Sequence, residues 1–357
     1  GNFYGQNKHS RNLVVCNRKK LTSPMGFVCG KTGSGKGMFT KTEMTGTIFS
    51  NPTDEIYVID RAGEYTAIAE RYGGSTYHFG VGTGTHLNPF DTVSVEHMTR
   101  NEQIAFKVDA MLAQAGASAA EAGSNFSEVD QSLVQRCTEL AFQKAAERGD
   151  NLPPTLQDFR EELLKQDEPE AKEIALAIEL FTDGSLNTFA KHTNVDTHSR
   201  LICYDILDLG KQLQPIGMLV VLDSILNRIT QNRAKGRNTF IFIDEIYLLF
   251  QHEYSANFLF TLWKRVRKYG AYCTGITQNV DDLLQSHTAR TMLANSEFII
   301  MLNQASTDRL ELAKLLNISD LQMSYITNVG AGQGLLKVGS SLVPFVNKFP
   351  RNTELYK

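Results

Sequence analysis

An α/β fold, with a mainly parallel central sheet flanked by helices and an all-α subdomain inserted into it, is what the sequence predicts. Three observations carry that expectation. The first is a glycine-rich stretch, GKTGSGKG from Gly30 to Gly37, set directly after the apolar run MGFVC and before a segment able to form a helix. The second is the alternation of short β-branched runs (IYVID, LICYDIL, TFIFIDE, AYCTGIT) with helical patterns, the signature of parallel strands joined by crossovers. The third is a break in that alternation between about Glu96 and Arg200, where the pattern turns helical. The 357 residues allow about two domains, or one carrying a large insertion. We therefore expect a first part over 1–94, an all-helical insertion over 95–200 and a second part over 201–357.

In chain order, residues 1–24 mix basic positions with short apolar pieces such as Leu13-Val14-Val15, which suggests a leading strand or hairpin at a sheet edge with its charges in solvent. Met38 to Phe49 can form a helix, and Glu55-IYVID reads as a buried strand ending at Asp60, so strand, loop, helix and strand make a right-handed parallel crossover. The glycines of GVGTGTHLNPFD, Gly80 to Asp91, lack a strand-then-helix setting and read as a loop. Within the helical stretch, Ile104, Val108, Met111 and Leu112 share a face, and Ser127 to Asp130 and Thr155 to Asp158 look like helix starts. The small-residue run AQAGASAAEAGS, Ala113 to Ser124, has no apolar stripe and is expected to be a mobile connection. Strands return at Leu201, followed by a helix from about Ile216 to Gln231 and the strand TFIFI. A helix then ends at Tyr269 with Gly270 as its cap, and the strands AYCTGIT and SEFIIML follow. GLLKVG and LVPFVN, flanking Ser340-Ser341, suggest a closing hairpin.

Composition excludes several functions. With 42% hydrophobic and 21% charged residues and a net charge of −3, the chain has no basic excess that would advertise nucleic acid. Its 5 cysteines are scattered with no CxxC pair, which argues against a zinc site or a disulfide framework and fits a reducing compartment. The histidines, His192 and His287 among them, show no metal-ligand spacing, and no nucleophile elbow is present. The longest apolar run, Ile216 to Leu226, is interrupted by Asp223 and is far short of the ~20 residues that span a bilayer. Because the sequence starts at Gly1 rather than a methionine, we expect a fragment of something longer.

The chemistry concentrates at a few positions. Backbone N–H groups of a loop such as Gly30, Thr32, Gly33, Ser34 and Gly35 can curl around a triphosphate, Lys36 can reach the β/γ-phosphates, and Gly37 and Met38 open the following helix, so this set is expected to bind ATP. The serine or threonine that normally follows the lysine and touches Mg²⁺ is replaced by Gly37. Phe240 to Ile243 end in Asp244-Glu245, of which the first can hold Mg²⁺ and the second can polarise a water for in-line attack. The bland alternative for that pair is a helix cap. Gln278, after AYCTGIT, should emerge at the carboxyl edge of the sheet, where an amide can sense the γ-phosphate or orient the attacking water; the bland alternative is a satisfied strand-end amide. Glu64, in RAGEY, lies just past a strand end where ligands collect, although an acid beside a helix start needs no further role. WKRVRKYG crowds Lys264, Arg265, Arg267 and Lys268 into a last helical turn, which the helix dipole alone favours; the sharper reading makes one of these arginines an arginine finger completing a neighbour's site, with Arg309 a second candidate. A DNA contact by this basic cluster is a further alternative.

Taken together, YGQN, GKTGSGK, IYVID with GEY, LNPFD, FAKHTNVDTHSRLICYDILDLG, FIFIDEIYLLF, WKRVRKYGAYCTGITQNVDDLL, LANSEFIIMLNQ and GLLKVGSSLVPF resemble the large ATPases of type IV secretion and conjugative transfer, the VirB-class ATPases of the TraE/TraC type, almost end to end. The resemblance implies a RecA-like P-loop ATPase domain using ATP and Mg²⁺ at the cytoplasmic face of the inner membrane. It implies self-association as a hexamer, and partnership with inner-membrane channel proteins and a coupling ATPase. It assigns Lys36 as loop lysine, Asp244 and Glu245 as metal-holding and catalytic carboxylates, Gln278 as sensor and Arg267 within the basic motif. A DNA-pumping motor like the coupling proteins or FtsK/HerA translocases shares this chemistry, and DNA is then a partner. A nucleotide-binding scaffold with little hydrolysis is the other alternative, made credible by Gly37. If the missing hydroxyl alone weakens Mg²⁺ use, Gly37→Ser should raise turnover or lower the Mg²⁺ requirement.

Overall fold

The structure, a computed structural model, describes residues 1–92, 99–184, 187–211, 213–353 and 356. Its strands are β1 (Asn2–Asn7), β2 (Leu13–Cys16), β3 (Gly26–Cys29), β4 (Glu55–Asp60), β5 (Ser75–His78), β6 (Leu201–Asp205), β7 (Thr239–Ile243), β8 (Ala271–Thr277), β9 (Phe298–Met301), β10 (Gln333–Val338) and β11 (Ser341–Val346). Among the described residues they form one 11-stranded sheet in the order β2-β1-β11-β10-β9-β3-β8-β7-β4-β6-β5. From β9 to β5 all neighbours are parallel, while β10, β11, β1 and β2 pair antiparallel, with β2 at the edge. The leading hairpin and the closing hairpin are therefore both present, joined to each other through β1 and β11. The strands on either side of the first crossover, β3 and β4, are not neighbours: β8 and β7 lie between them.

Helices cover both faces. On the chain side of the first crossover lie α1 (Lys36–Ser50) and α2 (Thr66–Arg71). Five helices stand between β5 and β6: α3 (Arg100–Glu121), α4 (Glu128–Arg148), α5 (Leu156–Leu164), α6 (Pro169–Ala177) and α7 (Glu179–Thr182). The remainder are α8 (Gln214–Ala234), α9 (Glu253–Lys268), α10 (Val280–Gln285), α11 (His287–Ala294), α12 (Ser306–Leu316) and α13 (Asp320–Met323). Alternation along each strand sends Phe27, Tyr57, Ile59, Ile241 and Ile243 into one apolar cluster with α8 and α9, and Val28, Ile56, Val58, Phe240 and Phe242 into another with Phe39 and Met44 of α1. A third cluster, built on Phe90, Leu133, Val134, Phe142 and Phe159, joins the helices between β5 and β6. The expected helix starts are capping boxes, Ser127 with Asp130 and Thr155 with Asp158. The helix expected from about Glu96 begins at Arg100, after a Thr99–Glu102 capping box; residues 93–98 lie outside the described residues.

Two expectations are corrected. The run Ala113 to Ser124 is not a mobile connection: through Glu121 it continues α3. Alanine is the strongest helix former, and small residues let two helices approach. Ala113 and Ala117 are buried, and a Cβ on Gly116 would run into the ring of Tyr254 in α9. Nor are all the leading charges in solvent. Arg18 is buried, donates from Nη1 to Glu43 Oε1 (2.8 Å) of α1 and Thr274 Oγ1 (2.7 Å) of β8 and from Nη2 to Pro24 O (2.8 Å), and stacks on Phe298. It ties the leading hairpin to the strands around β3.

A second buried ion pair joins α3 to the sheet layer. Lys107 and Asp223 of α8 are each 1% exposed; Lys107 Nζ donates to Asp223 Oδ2 and to Pro89 O (3.3 Å). Removing one partner strands the other in an apolar interior. Lys107→Met is expected to lower unfolding stability by about 3–5 kcal/mol, and Lys107→Met/Asp223→Leu to recover most of it, as measured by denaturant unfolding.

Candidate active site

Parallel pairing aligns the ends of four strands. Cys29 is level with Thr277, Ile243 with Gly275 and Ile59 with Ile243, so the residues that follow β3, β8, β7 and β4 emerge along one edge. Gly30 to Lys36 leave β3 there and enter α1. Gly33 (φ 76°) and Gly35 (φ 101°) occupy left-handed backbone that a side chain would resist. The loop is held on three sides: Gly30 N donates to Thr277 O (3.3 Å), Lys31 N to Asn303 O (2.8 Å), and Gly332 N, just before β10, to Ser34 O (3.0 Å). Gly35 caps the N-terminus of the 15-residue helix α1, whose free N–H groups and dipole favour an anion. Met38, partly buried, lies in the first turn of that helix.

Lys36 Nζ donates to Gly30 O (2.7 Å) and Lys31 O (3.4 Å). Burial pulls its pKa down, opposed by Glu245, Asp244 and Glu64, so three carboxylates surround this one ammonium. Gln278, first residue after β8, accepts from Thr32 Oγ1 at Oε1 (2.8 Å), which joins the sensor position to the loop. Its backbone N–H supports the Glu245 carboxylate.

Asp244 and Glu245 follow β7 and are both 6% exposed, each with one carboxylate oxygen (Oδ2 and Oε2) buried and without a hydrogen-bond partner. Glu245 sits at φ 49°, ψ 47°, left-handed backbone that costs a non-glycine residue about 1–3 kcal/mol and marks a position fixed for its side chain. Burial raises its pKa; the Gln278 N–H, Lys36 and Arg61 hold it back. Burial first, then Glu245, Asp60 and Glu64, push Asp244 up to about 8. Stranded acidic oxygens beside a lysine and a phosphate-type loop form a donor set suited to a hard divalent cation. Among the described residues no three His, Cys, Asp or Glu side chains cage an ion by themselves, as expected where phosphates supply part of the coordination.

Glu64 comes from the turn after β4. Asp60 Oδ1 accepts the N–H groups of Ala62 (3.2 Å), Gly63 (2.8 Å) and Glu64 (3.1 Å), and Oδ2 that of Tyr65 (2.8 Å), so this buried carboxylate fixes the turn. Asp60 and Arg61 were not singled out in the sequence. The adjacent RAGEY motif was visible, but that the backbone folds onto Asp60, and that Arg61, held by Gln214 Oε1 (2.7 Å), faces Glu245, depends on tertiary contacts. Arg267 is not brought to this site. It lies in the last turn of α9, four residues before β8, at the opposite end of a strand roughly 20 Å long. It is exposed, whereas Arg265 is partly buried and stacks on Phe106 (4.6 Å). Arg309 lies near the start of α12, which follows β9 on the loop's side of the sheet.

The position of Asp244 gives a prediction. Its folded pKa is raised, so its contribution to stability is fully present below the ordinary carboxylate range and lost as pH rises toward about 8. In metal-free buffer, Asp244→Asn should unfold at a higher temperature than the unmutated protein, by a margin that widens from about pH 5 to about pH 8 and then levels off.

No curated protein sequence matches the chain. Among solved structures, VirB4 of Thermoanaerobacter pseudethanolicus superposes with a TM-score of 0.85 at 21% identity, over 98% of this chain and 96% of that one. The plasmid coupling protein TrwB in complex with ADP and Mg²⁺ superposes with a TM-score of 0.57 at 14% identity, over 93% and 87%. Both share the fold: a RecA-like layout with a mostly parallel sheet between helices. The TraG P-loop domain family model matches residues 10–334, and with the loop, Asp244, Glu245 and Gln278 gathered on one sheet edge, the chain belongs to the TraG P-loop domain family of ATPases.

Proposed function

We propose that this domain is the ATP-hydrolysing motor of a conjugative type IV secretion system, working on the cytoplasmic side of the membrane as a hexamer alongside channel components and a coupling ATPase. The observation that carries the reading is the convergence of Lys36, Asp244, Glu245 and Gln278 around a loop whose Gly33 and Gly35 take left-handed backbone ahead of α1. The solved VirB4 and TrwB relatives supply the secretion and conjugation context. Among the described residues no helix is long and apolar enough to cross a membrane.

In this mechanism the loop N–H groups and Lys36 hold the β- and γ-phosphates and neutralise charge as it develops. Glu245, fixed by its backbone conformation and the Gln278 N–H, takes a proton from the attacking water. The new bond forms between that water oxygen and the γ-phosphorus, and the bond to the bridging oxygen breaks, leaving ADP and phosphate. Gln278, anchored through Thr32, registers whether the γ-phosphate is present. Asp244 would hold Mg²⁺, which supplies Lewis-acid stabilisation of the phosphate oxygens. Arg267 cannot reach the site of its own chain; in a ring it is free to complete a neighbour's.

ATP turnover of the unmutated protein, Lys36→Ala and Glu245→Gln, each with and without DNA, tests this reading. Both substitutions should lower turnover by about 10²- to 10⁴-fold, with nucleotide binding retained in Glu245→Gln. Variants that hydrolyse ATP at the unmutated rate would show the catalytic assignment to be wrong, and turnover driven by DNA would favour a DNA-pumping motor. For the ring, Arg267→Ala should lose about 10³-fold in turnover and regain activity when mixed with Glu245→Gln, whose subunits bring the arginine but not the base. No recovery on mixing removes Arg267 from the mechanism.

A further inference from the structure

Gly37 leaves no hydroxyl after the loop lysine, but the space beside it is taken. A Cβ built on Gly37 would overlap Glu64 Oε2 and stand 3.6 Å from Glu64 Cδ. The carboxylate is delivered there from the far side of the sheet edge by the turn that Asp60 holds through four backbone N–H groups. Gly63 in that turn has φ 73°, so the tight geometry is written into the chain. An independent feature points to a ligand at the same place. Asp244, 6% exposed, keeps Oδ2 unpartnered, and Glu64 is among the charges that act on both Asp244 and Lys36.

We propose that Glu64 replaces the missing hydroxyl, its Oε2 serving as a ligand, directly or through one water, of the Mg²⁺ that accompanies the nucleotide. The proposal rests on the ATPase reading above and deepens it. A carboxylate is a stronger ligand than a hydroxyl for a small hard cation, and it carries a charge that repels phosphates when no cation is present. Gly37 and Glu64 are then linked: the glycine leaves room for the glutamate carboxylate, the far end of an exposed side chain that a larger residue at 37 would push aside. On this proposal Gly37→Ser alone does not improve Mg²⁺ use, since the added side chain displaces the carboxylate.

The test is equilibrium binding of a fluorescent ATP analogue as Mg²⁺ is titrated, with Mn²⁺ electron paramagnetic resonance as a direct view of the cation. Unmutated protein, Glu64→Gln, Glu64→Ala, Gly37→Ser and Gly37→Ser/Glu64→Ala are compared, each also in EDTA. Glu64→Gln should bind the analogue in EDTA no more weakly than the unmutated protein, yet need about tenfold more Mg²⁺ for half-saturation. Gly37→Ser should also need more Mg²⁺, whereas the same substitution on Glu64→Ala should lower the requirement, because a hydroxyl then stands where the carboxylate was. An unchanged Mg²⁺ requirement in Glu64→Gln, or a lower one in Gly37→Ser alone, overturns the proposal. Failure of the unmutated protein to bind the analogue under any condition instead overturns the ATPase reading.

Discussion

The nucleotide edge depends on one strand, β8, which pairs with β3 on one side and β7 on the other. Because parallel strands run in register, their chain exits fall side by side, and each exit has backbone groups that no further ladder bond satisfies. Those groups are used. Thr277 O takes Gly30 N, Ile59 O takes Asp244 N (3.0 Å), and Cys29 O takes Leu302 N (2.9 Å). Without β8 between them, the loop and the carboxylates would stand a strand closer together, with no residue in the place of Gln278.

The same edge brings together features that are scattered singly elsewhere. Glu245 holds a left-handed backbone, Asp244 and Glu245 each bury an unpartnered oxygen, and Ser34 Oγ is buried without a partner as well. Elsewhere several buried carboxylates have a cationic partner even where one oxygen stays unpartnered, as in Glu43 and Asp223: Arg228 Nη2 donates to Glu55 Oε1 (2.6 Å), Arg18 to Glu43, Lys107 to Asp223. The contrast separates charges that hold the fold together from charges kept ready for a ligand.

Much of the site was legible in the sequence because its parts are local. The loop GKTGSGKG, the strand-end pair Asp244-Glu245 and Gln278 each carry their meaning within a few residues, and alternation identified most strands. Other features depend on partners distant in the chain. The order of strands, with two between β3 and β4, cannot be read from crossover segments. Ala113 to Ser124 lacks an apolar stripe because the surface it meets, around Tyr254, asks for small residues rather than large ones. Arg18 looked like a surface charge because its acceptor on α1 lies 25 positions away. Glu64 was visible as an acid past a strand end, but that it fills the space beside Gly37 is a fact about two loops meeting.

The bond from Gly332 N to Ser34 O has a mechanical meaning. Gly332 O in turn accepts Asn347 N (2.8 Å), just beyond β11, and β11 pairs with β1 at Gln6 and Asn7. The phosphate loop is thus geared to the antiparallel end of the sheet entirely through main-chain hydrogen bonds. A displacement of Ser34 O either breaks its bond to Gly332 N or pulls on the segment that leads into the closing hairpin. A transmission built from peptide groups is blind to side-chain identity, so the surface of those hairpins is free to diversify without uncoupling it.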